Sequence, residues 1–97
     1  MTDKALCEYL KQYRRGQESA ASSKELEAVF HIKGTELRRA VNRLRCSGYP
    51  ICSDATGYFY AERQSEIRAT IAQLTGRISK IAAAKNGLLK SYQEKEE

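Results

Sequence analysis

Thr35, Arg39, Asn42 and Arg43 recur at three- and four-residue spacing, which places them on one side of a helix. Arginine and asparagine carry hydrogen-bonding forks that match the edges of guanine and adenine in the duplex major groove. Lys33, Arg38, Arg45 and Ser23 flank this set and suit phosphate oxygens, contacts that fix position more than sequence. Between His31 and Gly48, five basic residues (Lys33, Arg38, Arg39, Arg43, Arg45) stand against one acid, Glu36, a local excess of +4. The whole chain carries +5, so most of its excess charge sits on this short segment. The plain alternative is an ordinary basic surface. A solvated helix face normally mixes signs, however, as the stretch after residue 65 does, and a single-sign face points to nucleic acid.

Other chemistries lack their residues. There is one histidine, His31, and the only aspartates are Asp3 and Asp54. No nucleophile–histidine–acid set has supporting spacing, and no phosphate-cradling glycine loop appears. The chain is therefore expected not to be an enzyme, and His31 is expected to be a turn or surface residue. Cys7, Cys46 and Cys52 are odd in number and include no CxxC pair. Zinc sites use clustered ligands, so neither a metal nor another cofactor is expected, and reduced cysteines are.

The elements that position the basic face follow from periodicity. Ser22 or Ser23 suits an N-cap, and Leu26, Val29 and Phe30 then share a helical face. Lys33-Gly34 breaks the run, and Thr35 is expected to cap the next helix. On that helix Leu37, Ala40, Val41 and Leu44 form an apolar stripe opposite the Thr35–Arg39–Asn42–Arg43 side. Two short runs follow, from Tyr49 to Ser53 and from Tyr58 to Ala61, rich in β-branched or aromatic residues. Asp54-Ala55-Thr56-Gly57 joins them as a turn, with Gly57 suited to positive φ. Strand alternation directs Ile51, Tyr58 and Tyr60 over the helical core. A further helix is predicted from about Asp3 to Arg15, with Leu6, Tyr9, Leu10 and Tyr13 on its apolar side and Gly16 as its stop. Its Lys11, Arg14 and Arg15 either complement the helix dipole or clamp a phosphate. Gln17 to Ala21 reads as a polar linker.

Helix, turn, basic helix and glycine-closed hairpin, in that order, describe a mainly α winged helix-turn-helix, a three-helix core plus a β-hairpin wing. The segment from Ser22 to Ala61 resembles the winged-helix domain that opens the biotin operon repressor and its relatives. The shared features are the skeleton SxxxLxxxxxIxxxxLxxxVxxLRxxGYxI and the later Gly57-Tyr58 pair. The resemblance covers about forty residues. It implies sequence-specific DNA binding by the second helix of the motif. Two departures matter: the wing tip carries Asp54 and no Lys or Arg, and no ligase domain accompanies it, so biotin chemistry is not implied.

The last third adds a second pattern. Ser65 suits an N-cap, and Ile67, Ile71, Leu74, Ile78, Ile81, Leu88 and Tyr92 then form a heptad stripe with Lys85 in one seam position. A small core covers only its first turns, so Ile71, Leu74, Ile78, Ile81 and Leu88 are expected to form a homodimer, a coiled coil or larger bundle. The alternative is a helix folded along its own domain. The stripe leaves strand direction open, and Asn86-Gly87 is expected to end or kink the helix. The organisation expected is a domain over residues 1–64, a dimerisation helix over 65–92 and a disordered charged tail over 93–97. Hydrophobic residues make up 41% of 97 residues, enough for one core. No run approaches a membrane span and no leader is evident, so a soluble cytoplasmic protein is expected. The function expected is dimeric binding of double-stranded DNA, as a transcriptional regulator or in a phage or other mobile element. The alternative is an interaction module or inhibitor whose basic helix meets an acidic protein surface or an RNA-containing complex, which the acidic wing tip favours.

Overall fold

The chain enters its first helix through Thr2, whose hydroxyl accepts from the Ala5 amide at 3.0 Å. A computed structural model describes residues 1–94. Within them four α-helices and one hairpin follow in the order α1 (Asp3–Tyr13), α2 (Ser23–Phe30), α3 (Gly34–Cys46), β1 (Ile51–Asp54), β2 (Gly57–Tyr60) and α4 (Gln64–Glu94), with a 3-10 turn at Gln17–Ser19. The protein is mainly helical, with a long C-terminal helix.

The core forms where the apolar stripes of α1, α2 and α3 meet. Leu6 and Leu10 of α1, Leu26 of α2, and Leu37, Ala40, Val41 and Leu44 of α3 are buried together with Ile51 of β1. Cys7 joins this side of α1. Tyr13, expected there, is exposed and leans against Tyr9, with ring centroids 5.4 Å apart. Val29 is likewise exposed, while Phe30 packs edge-on against Tyr9.

Of the two candidate serines, Ser22 caps α2, in a reciprocal capping box with Glu25. Other helix ends differ from expectation. The left-handed residue that closes α2 is His31, with φ of 54°. The chain has therefore already turned by Gly34, which becomes the first residue of α3, and Thr35 lies inside the helix instead of capping it. At the end of α1 the helix stops at Tyr13, two residues before the expected Arg15. The Arg14 carbonyl is drawn off to accept from the Tyr60 amide at 2.8 Å.

The hairpin is antiparallel, pairing Ile51 with Tyr60, Cys52 with Phe59, Ser53 with Tyr58 and Asp54 with Gly57. Its faces separate as alternation requires. Ile51, Tyr58 and Tyr60 pack on the helical core, whereas Cys52 and Phe59 face the other way, onto Ala61 and Ile67 at the start of α4. The expected linker from Gln17 to Ala21 is a structured edge. Ala21 exchanges two backbone hydrogen bonds with Tyr58, and the Gly16 amide donates to the Tyr60 carbonyl. Gly57 sits at φ of +139°, and a Cβ there would strike the Ala21 carbonyl, so no other residue fits.

α4 begins at Gln64, which places Ser65 inside the helix. Its entry is organised by the buried Glu66. One carboxylate oxygen accepts from the Glu62 and Arg63 amides at 2.7 and 3.0 Å, and the other from the Gln17 amide at 2.9 Å. Burial alone would raise the Glu66 pKa; these three amides outweigh it and hold it below its ordinary value. The helix runs unbroken through Asn86-Gly87. One glycine costs only about 1 kcal/mol, and strong helix formers at Ala82–Ala84 and Leu88-Leu89 flank it. Gln93 and Glu94, expected in a disordered tail, continue the helix; the remainder of that expected tail, residues 95–97, lies outside the described residues. Thirty-one residues give a rod of about 46 Å, and the molecule measures 59 × 30 × 23 Å. No helix among the described residues is long and apolar enough to cross a membrane.

Candidate nucleic-acid interface

α3 is held by its apolar stripe, so its opposite side faces solvent. Thr35, Arg38, Arg39 and Asn42 are all exposed there. Lys33 precedes the helix and is also exposed. Lys33, Thr35 and Arg39 border one shallow depression beside the α2–α3 turn, together with Glu36. Arg38 reaches back over the first turn, where its Nη2 donates to Thr35 Oγ1 at 3.3 Å. Among the described residues, Lys33, Arg38 and Arg39 form no ion pair.

Three residues of the expected set are engaged elsewhere. Arg43 turns toward α1, where its Nε and Nη2 donate to the two oxygens of Asp3 at 2.8 and 2.9 Å. The Arg43 hydrogen bonds hold the Asp3 carboxyl below its ordinary pKa. Arg45 lies against the hairpin, with Nε donating to the Ile51 carbonyl at 2.7 Å and Nη2 to Ser53 Oγ at 3.1 Å. Burial pushes its pKa down. It braces the hairpin where a phosphate contact was expected, because its position on α3 faces β1. Ser23 donates to Glu27 Oε2 at 2.7 Å. That same carboxylate oxygen stands 3.1 Å from where a Gly34 Cβ would be. Glu27 thus places a negative charge beside the first residue of α3, although no side chain caps that helix.

The hairpin turn is built by its acid. Asp54 accepts from the Thr56 amide at 2.8 Å and from the Thr56 hydroxyl, and its second oxygen accepts from Gln17 Nε2 at 2.6 Å. These bonds, the Thr56 hydroxyl first, lower the Asp54 pKa. Asp54 therefore acts as a turn-former. Sequence reasoning missed Arg77. It lies about two turns beyond Thr70, the residue whose hydroxyl accepts from the Ser53 amide. That contact fixes α4 along the hairpin, so Arg77 borders the same depression as Asp54, Thr56 and Ser23. The only signal was its place on the flank of the heptad stripe.

Near α1, Arg14 pairs with Glu25 at 3.4 Å. Lys11 and Arg15 lie over the Tyr60 ring, 6.0 and 5.9 Å from its centroid. Cys7 and Cys52 are buried and Cys46 is exposed, all three as free thiols. Burial pushes the Cys7 and Cys52 thiols up, away from the reactive thiolate. Among the described residues no cluster of three or more His, Cys, Asp or Glu could hold a metal ion.

On α4, Ile67 packs under the hairpin and Leu74 is half-buried. Ile71, Ile78, Ile81 and Leu88 are 54%, 66%, 69% and 72% exposed. The expected seam is thus uncovered along most of its length. Comparison of the chain with protein-family models, with curated proteins and with solved structures gives no match.

Proposed function

We propose that this protein is a winged helix-turn-helix that binds duplex DNA in a sequence-specific manner, as a small dimeric regulator. The element order of α2, α3 and the hairpin supports the winged-helix reading, as does the resemblance of Ser22–Ala61 to the biotin operon repressor family. The observation that carries the DNA reading is the division of α3. Leu37, Ala40, Val41 and Leu44 are buried, while Arg38, Arg39 and Asn42 project into solvent. In this reading Thr35, Arg39 and Asn42 approach base edges. Lys33 and Arg38 approach phosphates from α3, and Arg77 does so beside the wing.

The dimer reading rests on the exposed stripe of α4. Contiguous apolar surface of this kind marks an interaction site. The interaction-module alternative keeps its supporting feature, since Asp54 remains an ionised acid at the hairpin turn; the division of α3 is what favours the DNA reading.

The test is binding of fluorescent random duplex at increasing salt, then selection and sequencing of bound fragments. Four to six cationic contacts per dimer are expected to give a log–log salt slope of about −4 to −6. A flat salt response, or no duplex binding at low salt, would overturn the DNA reading.

A further inference from the structure

The seam of α4 consists of Ile67, Ile71, Leu74, Ile78, Ile81, Lys85, Leu88 and Tyr92. Its steps of four and three read identically from either end, about a midpoint between Ser79 and Lys80. Turned end for end, a second copy sets Ile78 against Ile81, Leu74 against Lys85, Ile71 against Leu88 and Ile67 against Tyr92. A parallel copy sets each residue against itself, and so places two Lys85 ammonium groups face to face in the seam. The antiparallel register sets Lys85 against a leucine, where its stem covers apolar surface and its charge reaches water.

The body of the molecule adds a steric argument. At the N-terminal end of the stripe Ile67 already packs on Cys52 and Phe59 of the hairpin. The globular part therefore sits beside the seam at that end. Two parallel copies would bring both bodies to the same end of the rod. Antiparallel copies keep them at opposite ends. The same end carries an apolar trough of about 320 Å³, bordered by Tyr49, Pro50, Ile51, Ile71 and Leu74. In the antiparallel register this trough lies where the partner's C-terminal turns arrive.

We propose that a second copy of this chain covers α4 in the antiparallel direction, with the partner's Leu88 against Ile71 and the partner's Tyr92 at the trough. This deepens the dimer reading above and rests on it. Ile71, Ile78, Ile81, Leu88, Leu89 and Tyr92 are each more than half exposed. At on the order of 100 Å² apiece they offer roughly 600 Å² of apolar surface per protomer. With the trough this approaches the ~800 Å² per partner of a stable interface.

The test is cysteine cross-linking of the full chain. Cys46, the exposed thiol, is first replaced (Cys46→Ser). Ile71→Cys and Leu88→Cys are made separately in that background and incubated in glutathione redox buffer, each alone and then mixed. The expected result is at least tenfold more covalent dimer in the mixture than in either variant alone. Leu74→Cys mixed with Lys85→Cys repeats the test one layer inward. Covalent dimer from Ile71→Cys alone and from Leu88→Cys alone would establish a parallel pair and overturn the proposal while leaving the dimer reading intact. A dimer by light scattering that cross-links in neither mixture would also overturn the register. A monomer at tens of micromolar would overturn the dimer reading itself.

Discussion

Asp3 and Arg43, forty positions apart in sequence, face each other as a two-bond carboxylate–guanidinium pair at 2.8 and 2.9 Å. The pair ties the first turn of α1 to the last turn of α3. It also turns one arginine of the basic helix toward α1, where it stays exposed.

Breaking that pair is expected to strengthen DNA binding. Asp3→Asn removes a negative charge beside α3 and releases Arg43 to meet a phosphate. Anisotropy titrations across a salt series should then show tighter binding and a slope steeper by about one. Unchanged affinity and slope would mean that Arg43 lies outside the contact surface.

Arg39 and Arg45 should separate cleanly. Arg39→Ala is expected to cost ~1–3 kcal/mol on the selected site and to relax base preference there. Arg45→Ala leaves the Ile51 carbonyl without its side-chain donor and should destabilise the fold by about 1–3 kcal/mol. Urea melts read the second effect and competition binding the first. Equal loss of base preference in both variants would contradict the assignment.

The exposed seam makes the oligomer separable from the fold. Ile78→Asp with Ile81→Asp places charges at two side chains that are 66% and 69% exposed. The variant should be monomeric by light scattering, with hydrogen-exchange protection retained in α1–α3. DNA affinity should fall, because two linked readers gain from effective concentration.

Stability should fall in acid. Glu66 and Asp54 have folded-state pKa values below their ordinary 4.5 and 3.8. Their contribution is complete above those ordinary values and is lost as pH drops through the depressed folded ones. The melting temperature should be flat from pH 7 to about pH 5 and decline below the ordinary Glu66 value. Glu66→Gln should lower stability at pH 7 by about 1–3 kcal/mol and flatten the acid decline. An unchanged acid profile in that variant would remove Glu66 as its source.

Local periodicity carried much of this fold. Leu37, Ala40, Val41 and Leu44 had to share a face of α3, and alternation set Ile51 apart from Cys52. What periodicity does not encode is pairing across distance. Nothing around Asp3 indicates Arg43, and nothing around Gln17 indicates Glu66 or Asp54. Those contacts exist because three elements converge, so Arg43, Arg45 and Ser23 looked available when read along α2 and α3 alone. Asn86-Gly87 misled for another reason: its local cost is small, and the surrounding helix formers outweigh it.

Both margins of the hairpin are occupied, and this limits how the molecule can associate. Along β2 the outward backbone groups of Tyr58 and Tyr60 are met by Ala21, Arg14 and Gly16. Along β1 the Ile51 carbonyl accepts from Arg45 and the Ser53 amide donates to Thr70. A foreign strand finds few backbone groups to extend. The route to runaway fibrils by strand addition is narrowed, and the longest run of exposed apolar side chains lies instead on α4.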